Sequence, residues 1–152
     1  MFKLDKKEMM IQALGKFVDM TSKELPDDVM AKLTELRAKE EKPLAKAIYD
    51  VMFENMDKAK KLNRPTCQDT GVIQFFIRAG AKFPLLGKLR EILREATIQA
   101  TKSAPLRLNA VEVFDEVNTG TNVGTNVPFI EWEIVDDSTN VEIEVYQAGG
   151  GC

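Results

Sequence analysis

The feature that most constrains this chain is the change of hydrophobic period at Asn63-Arg64-Pro65. Before it, apolar side chains recur at the spacing of a helix face. After it comes Val72-Ile73-Gln74-Phe75-Phe76-Ile77, a short apolar run that reads as a buried strand. Such a chain predicts an α+β domain, N-terminal helices followed by a small, largely antiparallel sheet. Between the two regimes lies Cys67-Gln68-Asp69-Thr70-Gly71, where a thiol, an amide, a carboxylate, a hydroxyl and a glycine turn fall on consecutive residues. A rigid loop at the edge of the core is expected there.

The helical half divides into three. Met10, Ile11, Leu14, Phe17, Val18 and Met20 place one apolar face on a helix over 6–23. Leu25-Pro26-Asp27-Asp28 reads as a second helix start, with proline early and acids in the first turn, and Val29, Leu33 and Leu36 continue it. Pro43 restarts the pattern, and Leu44, Ile48, Val51, Met52 and Met56 form the clearest stripe, running to about Lys61.

Beyond the strand, Ala79 to Pro84 is a turn, and Leu85 to Thr101 predicts a fourth helix with Leu86, Leu89, Ile92, Leu93 and Ala96 inward. Its Lys88, Arg90, Glu91, Arg94 and Glu95 read as a solvated face. A short strand is expected over Ala110 to Phe114. A polar loop follows, with Gly-Thr-Asn-Val twice in tandem over 120–127, too short to imply a repeat fold. Ile130, Trp132 and Ile134, then Val141, Ile143 and Val145, alternate with glutamates, which reads as a hairpin turning at Asp136 to Asn140.

With 152 residues, 44% of them hydrophobic, the chain suits one domain burying about two-thirds of its unfolded surface. A formal net charge of -3 gives no basic excess to draw it to nucleic acid or an anionic membrane. No apolar run approaches the roughly 20 residues of a membrane span, and Met1 to Glu8 lacks the core of a signal peptide, so a cytoplasmic location is expected. Two cysteines make no disulfide framework. The sequence has 0 histidines, which removes a histidine base, a Cys-His dyad and a histidine metal site from within this chain.

Each candidate site residue has a plain alternative. Cys67 is either a small buried apolar residue or, with polar Gln68, Asp69 and Thr70 beside it, a soft ligand facing water or a bound molecule. Arg107 is either a solvated charge or a fork for a carboxylate. Gly149-Gly150-Gly151 is either a turn or a backbone N–H nest for an anion, and Cys152 either a second ligand or a fraying end. The loop at Asn118 to Asn126 is either a lid or a long hairpin connection.

Taken together, these segments resemble a known family. Arg64-Pro65-Thr66-Cys67-Gln68-Asp69-Thr70-Gly71 is similar to the N-terminal signature of the iron-sulfur hydro-lyases, the class I fumarases and L-tartrate dehydratases. The likeness continues through Phe83-Pro84-Leu85-Leu86-Gly87, Ala104-Pro105-Leu106-Arg107, Phe114-Asp115-Glu116-Val117-Asn118-Thr119-Gly120 and Glu142-Ile143-Glu144-Val145-Tyr146 to the glycine run. It covers the chain from about Pro26 onward and looks nearest to the alpha subunits of the tartrate-dehydrating branch. The resemblance implies an oxygen-sensitive four-iron four-sulfur (4Fe-4S) cluster held by three cysteines, whose open iron acts as a Lewis acid. It further implies that Cys67 is the first cluster cysteine and that Gln68 and Asp69 touch the substrate, Asp69 as a catalytic residue. Arg107 would bind a substrate carboxylate, and Gly150 would offer its backbone N–H to the substrate or the cluster region. The implied reaction is dehydration of a hydroxy dicarboxylic acid, L(+)-tartrate giving oxaloacetate, or fumarate–malate interconversion in the fumarase alternative.

In that family the proton-abstracting base comes from a C-terminal domain or a beta subunit, in keeping with the missing histidine. Family alpha subunits continue for roughly as long again and carry the other cluster cysteines there. This chain is therefore expected to be an N-terminal fragment with an incomplete ligand set, inactive alone, exposing apolar surface and self-associating. Its organisation is expected to be a single domain over 1–152, with a helical part over about 5–63, the cysteine loop at 64–71 and an α/β part over 72–152. The contrasting reading is a short non-catalytic module that pairs with a larger subunit.

Overall fold

The structure is a computed structural model that describes residues 5–150; Gly151 and Cys152 lie outside the described residues. Helix α1 (Lys6–Thr21) starts where the Asp5 carboxylate accepts the Glu8 N–H at 2.8 Å, supplying a partner to a donor that the first turn leaves free. Helices α2 (Asp27–Lys39) and α3 (Pro43–Leu62) follow. Proline opens α3, and Asn63, in the left-handed region at φ 53°, ends it while Arg64 N–H returns to the Ala59 carbonyl at 2.9 Å. The break in period at Asn63-Arg64-Pro65 is thus a capped helix end.

Strand β1 (Val72–Gly80), helix α4 (Leu89–Ser103) behind a short 3-10 turn at Leu86–Lys88, the two-residue strands β2 (Val111–Glu112) and β3 (Val117–Asn118), β4 (Phe129–Val135) and β5 (Val141–Ala148) complete the chain. The main sheet has the order β4-β1-β5, and β2-β3 forms a separate pair. Ile73, Phe75, Ile77 and Ala79 on one face of β1 pack on Leu89, Ile92, Leu93, Ala96 and Ala100 of α4 and on Ile11, Leu14 and Val18 of α1. Ile130, Trp132, Val141, Ile143 and Val145 close the core from the flanking strands. The α+β architecture is the one the patterns predict.

The C-terminal hairpin is not. β4 and β5 do not pair with each other: β1 lies between them, parallel to β4 with Phe75 opposite Ile130, and antiparallel to β5 with Phe75 opposite Val145. The sheet is therefore mixed. The segment that was expected to be a tight turn instead passes over the end of β1, where Gly80 N–H donates to the Asn140 carbonyl at 2.8 Å and Ala81 N–H to the Val135 carbonyl at 2.9 Å. A Cβ on Gly80 would lie 2.1 Å from the Ser138 carbonyl oxygen, so only glycine admits the crossing. Alternation reports which face of a strand is buried, and it does so equally for any neighbour in the sheet.

Two other expectations change. The strand at Ala110 to Phe114 is only two residues long, and Phe114 at its tip is 98% exposed. Arg94, assigned to a solvated face, is half-buried and donates to the carbonyls of Gly124 at 3.1 Å and Val127 at 3.3 Å. The stripe on α3 faces outward, with Leu44, Ile48 and Val51 exposed, and α2 has no buried residue. Phe75 is the largest side chain at 0% exposure, held between both flanking strands and α4. Phe75→Ala is expected to cost about 3–5 kcal/mol of unfolding free energy, measured by urea titration, through lost transfer energy and the cavity it leaves.

Candidate functional site

The cysteine loop is fixed at both ends. On the incoming side, Thr66 N–H donates to the Ser22 carbonyl at 3.0 Å and Asn55 Nδ2 to the Thr66 carbonyl at 2.7 Å, tying the loop to the end of α1 and to the body of α3. Lys23, buried against Asp19, reaches Asn63 Oδ1 at 2.7 Å and joins the C-terminal ends of the same two helices. On the outgoing side Gly71 has φ 73°, and a Cβ there would fall 2.4 Å from the Ala148 carbonyl carbon and 2.7 Å from Gly149 N. Glycine is required on both counts, and its absence of a side chain lets the loop lie on the end of β5, where Val72 pairs with Ala148.

This close approach brings the candidate residues together. Asp69 Oδ1 accepts the Gly71 N–H at 3.1 Å and Oδ2 accepts the Gly150 N–H at 3.2 Å, so one carboxylate clasps the loop to the glycine run. The buried Thr70 hydroxyl accepts the Arg107 N–H at 2.9 Å, setting the Arg107 backbone beside the same loop while its side chain stays exposed. Cys67 is an exposed free thiol and Gln68 is exposed, which excludes the core-filler reading of Cys67. A Cβ on Gly150 would meet nothing within 4 Å, so the space over the clasp is open.

The Gly71 N–H, followed by the Gly150 N–H and assisted by the Arg107 charge and the Asn109 amide, holds the Asp69 carboxyl below its ordinary value against the opposing effect of desolvation. Asp69 is thus kept ionised. Among the described residues no group of three or more His, Cys, Asp or Glu could hold a metal ion. The loop supplies a single soft ligand, the Cys67 thiol, next to an anion-tolerant cradle.

Three residues bonded to the loop or to its anchor have no role in the sequence reading. Thr70 lay inside the motif with no task assigned. Asn109 donates through Nδ2 to the Gly71 carbonyl at 2.8 Å, and Asn122 Oδ1 accepts the Asn109 N–H at 2.7 Å. The tandem Gly-Thr-Asn-Val was the available signal: Asn122 and Asn126 occupy the same place in each copy and both adopt the left-handed conformation, at φ 56° and 57°. The loop that carries them is neither lid nor hairpin connection. Asn122 is 5% exposed and Arg94 holds the carbonyls at Gly124 and Val127, so the loop is fastened to α4 on its way from β3 to β4.

Known proteins are similar to this chain in sequence. A family model described as fumarate hydratase (fumerase) matches residues 11–152. The chain belongs to the fumarate hydratase family. Within it, the chain is 54% identical over 141 residues to the L(+)-tartrate dehydratase subunit alpha of Escherichia coli (strain K12), covering 93% of this chain and 46% of that relative. It is 37% identical over 123 residues to the putative L(+)-tartrate dehydratase subunit alpha of Methanocaldococcus jannaschii, covering 80% of this chain and 43% of that one. The chain therefore spans about half the length of these relatives.

Gly71→Ala is expected to swing the loop off β5, and nuclear magnetic resonance should show the Gly150 amide losing its carboxylate partner while the β1 amides of Phe75 and Ile77 stay protected. The clasp also has a defined pH dependence. Because the folded-state value for Asp69 is depressed, its contribution is fully present above the ordinary carboxylate range and is lost as pH falls through the folded value. The Gly150 amide shift should follow that acid titration in the wild type and be flat over it in Asp69→Asn.

Proposed function

We propose that this chain is the N-terminal domain of an iron-sulfur hydro-lyase subunit that removes water from a hydroxy dicarboxylic acid, L(+)-tartrate giving oxaloacetate. The observation that carries the reading is the clasp itself: an exposed thiol and an ionised carboxylate on one loop, closed on Gly150 with open space over it, beside an arginine. Its membership of the fumarate hydratase family and the names of its tartrate dehydratase relatives support it further.

The donor chemistry of Cys67 suits a 4Fe-4S cluster, to which it would give one thiolate; the remaining ligands would come from outside this chain. Such a cluster supplies an open iron acting as a Lewis acid. The chain's own residues then bind and orient. Arg107 carries a planar fork of donors suited to one substrate carboxylate. Gln68 offers both an amide donor and a carbonyl acceptor to a hydroxyl. Asp69, ionised and held at both oxygens, is a fixed acceptor that aligns a substrate O–H and resists protonation in the working pH range. Gly150 acts by fixing Asp69 through its N–H. The proton-abstracting base would come from a C-terminal catalytic domain or a beta subunit. The working enzyme would be a cytoplasmic oligomer with no nucleic-acid or membrane partner; no helix among the described residues is long and apolar enough to cross a membrane.

The second reading is a fumarase acting on fumarate and malate, favoured by the description of the matching family model. Anaerobic reconstitution of the chain within its full-length subunit and partner, with iron counted and L-tartrate and L-malate assayed, separates the two. Uptake of a cluster with faster turnover of tartrate is the expected result, and faster turnover of malate would make it the fumarase. Loss of cluster in Cys67→Ser with retained fold is expected, whereas a full cluster in that variant would remove Cys67 from the ligand set. An assembled enzyme inactive on both acids would overturn the hydro-lyase reading in favour of a non-catalytic module.

A further inference from the structure

We infer that Asn109 is a positioning residue of this site, setting the direction of the Asp69 carboxylate through its hold on Gly71. Gly71 is gripped on three sides: Asp69 takes its N–H, the Ala148–Gly149 peptide lies against its bare Cα, and Asn109 Nδ2 holds its carbonyl at 2.8 Å. The first two contacts are made by the site's own loop and by the strand end beneath it. The third is the one that a side chain from outside the loop makes to Gly71.

Asn109 is itself held by a scaffold. Asn109 and the residue on each side of it are bonded to the segment 118–122: Asn118 Nδ2 donates to the Leu108 carbonyl at 2.8 Å, Asn122 Oδ1 accepts the Asn109 N–H at 2.7 Å, and Thr119 N–H donates to the Ala110 carbonyl at 2.9 Å. Asn122 in turn donates through Nδ2 to Thr101 Oγ1 at 3.2 Å on α4. A continuous chain of bonds therefore runs from α4, the helix at the centre of the core, through Asn122 and Asn109 to Gly71 and Asp69. Asparagine suits the place because its amide donates to the carbonyl without setting a second negative charge beside Asp69. An aspartate of the same shape would lack the donor and repel the carboxylate.

Only the catalytic consequence of this role rests on the hydro-lyase reading. The first test is made on the chain itself, reading by nuclear magnetic resonance the Gly150 amide, which donates to Asp69 but has no bond to Asn109. In Asn109→Ala and in the isosteric Asn109→Asp, the Gly150 amide is expected to move toward its position in Asp69→Ala, while the Phe75 and Ile77 amides of β1 remain protected. Asn122→Gly keeps the left-handed backbone and removes only the side chain, and it is expected to move the Gly150 amide part of the way. A Gly150 amide unchanged in both Asn109 variants, with the loop perturbed only at Gly71 and Val72, would reduce Asn109 to a local staple and overturn the role.

The second test uses the full reconstituted enzyme. Asn109→Ala is expected to lower kcat on the order of tenfold or more with little change in KM, since a misdirected carboxylate is felt most in the transition state. Unchanged kcat would overturn it. If the wild-type enzyme dehydrates neither acid, the hydro-lyase reading fails, and the Gly150 amide still decides the positioning role.

Discussion

The contact on which the site depends is the one between Gly71 and the Ala148–Gly149 peptide. Two backbones meet there at a distance no side chain allows, and the approach sets Asp69 within reach of the Gly150 N–H. Each consequence follows from it. The loop's direction is fixed before any side chain is chosen, the carboxylate becomes a bridge between segments 81 positions apart in sequence, and two backbone N–H groups keep it ionised. A site assembled this way is rigid because main chain, not long side chains, carries it.

That rigidity contrasts with the first half of the chain. α1 and α4 share the core with the sheet, but α2 buries nothing and α3 turns Leu44, Ile48 and Val51 outward. Phe114 and its neighbours Val113 and Val117 are exposed on the small β2-β3 pair as well. Apolar surface of this extent on separate elements is expected to associate in water.

Much of the fold was legible from residues. Capping at Asn63, the inward row Leu89, Ile92, Leu93 and Ala96, and the strand beginning at Val72 all follow from local rules of period and helix ends. The pairing of the last two strands was not, because Ile130, Trp132 and Ile134 would alternate in the same way beside any partner. The Cys67 loop announced itself through its run of unlike polar groups. Asn109 did not, since a lone asparagine after a leucine resembles ordinary loop, and its task exists only once Gly71 and Asn122 are brought beside it.

The sequence by itself determined the four helices, the three strands of the main sheet, and the chemical inventory of the loop, including the want of any histidine. These are short-range matters of periodicity, capping and side-chain type, readable within a few residues. Only the tertiary structure decided that β1 enters between β4 and β5, that Asp69 closes on Gly150, and that Asn122 holds Asn109 in place. Each of those joins residues far apart along the chain. Their partners are selected by how the packed core positions the backbone, which no local pattern encodes.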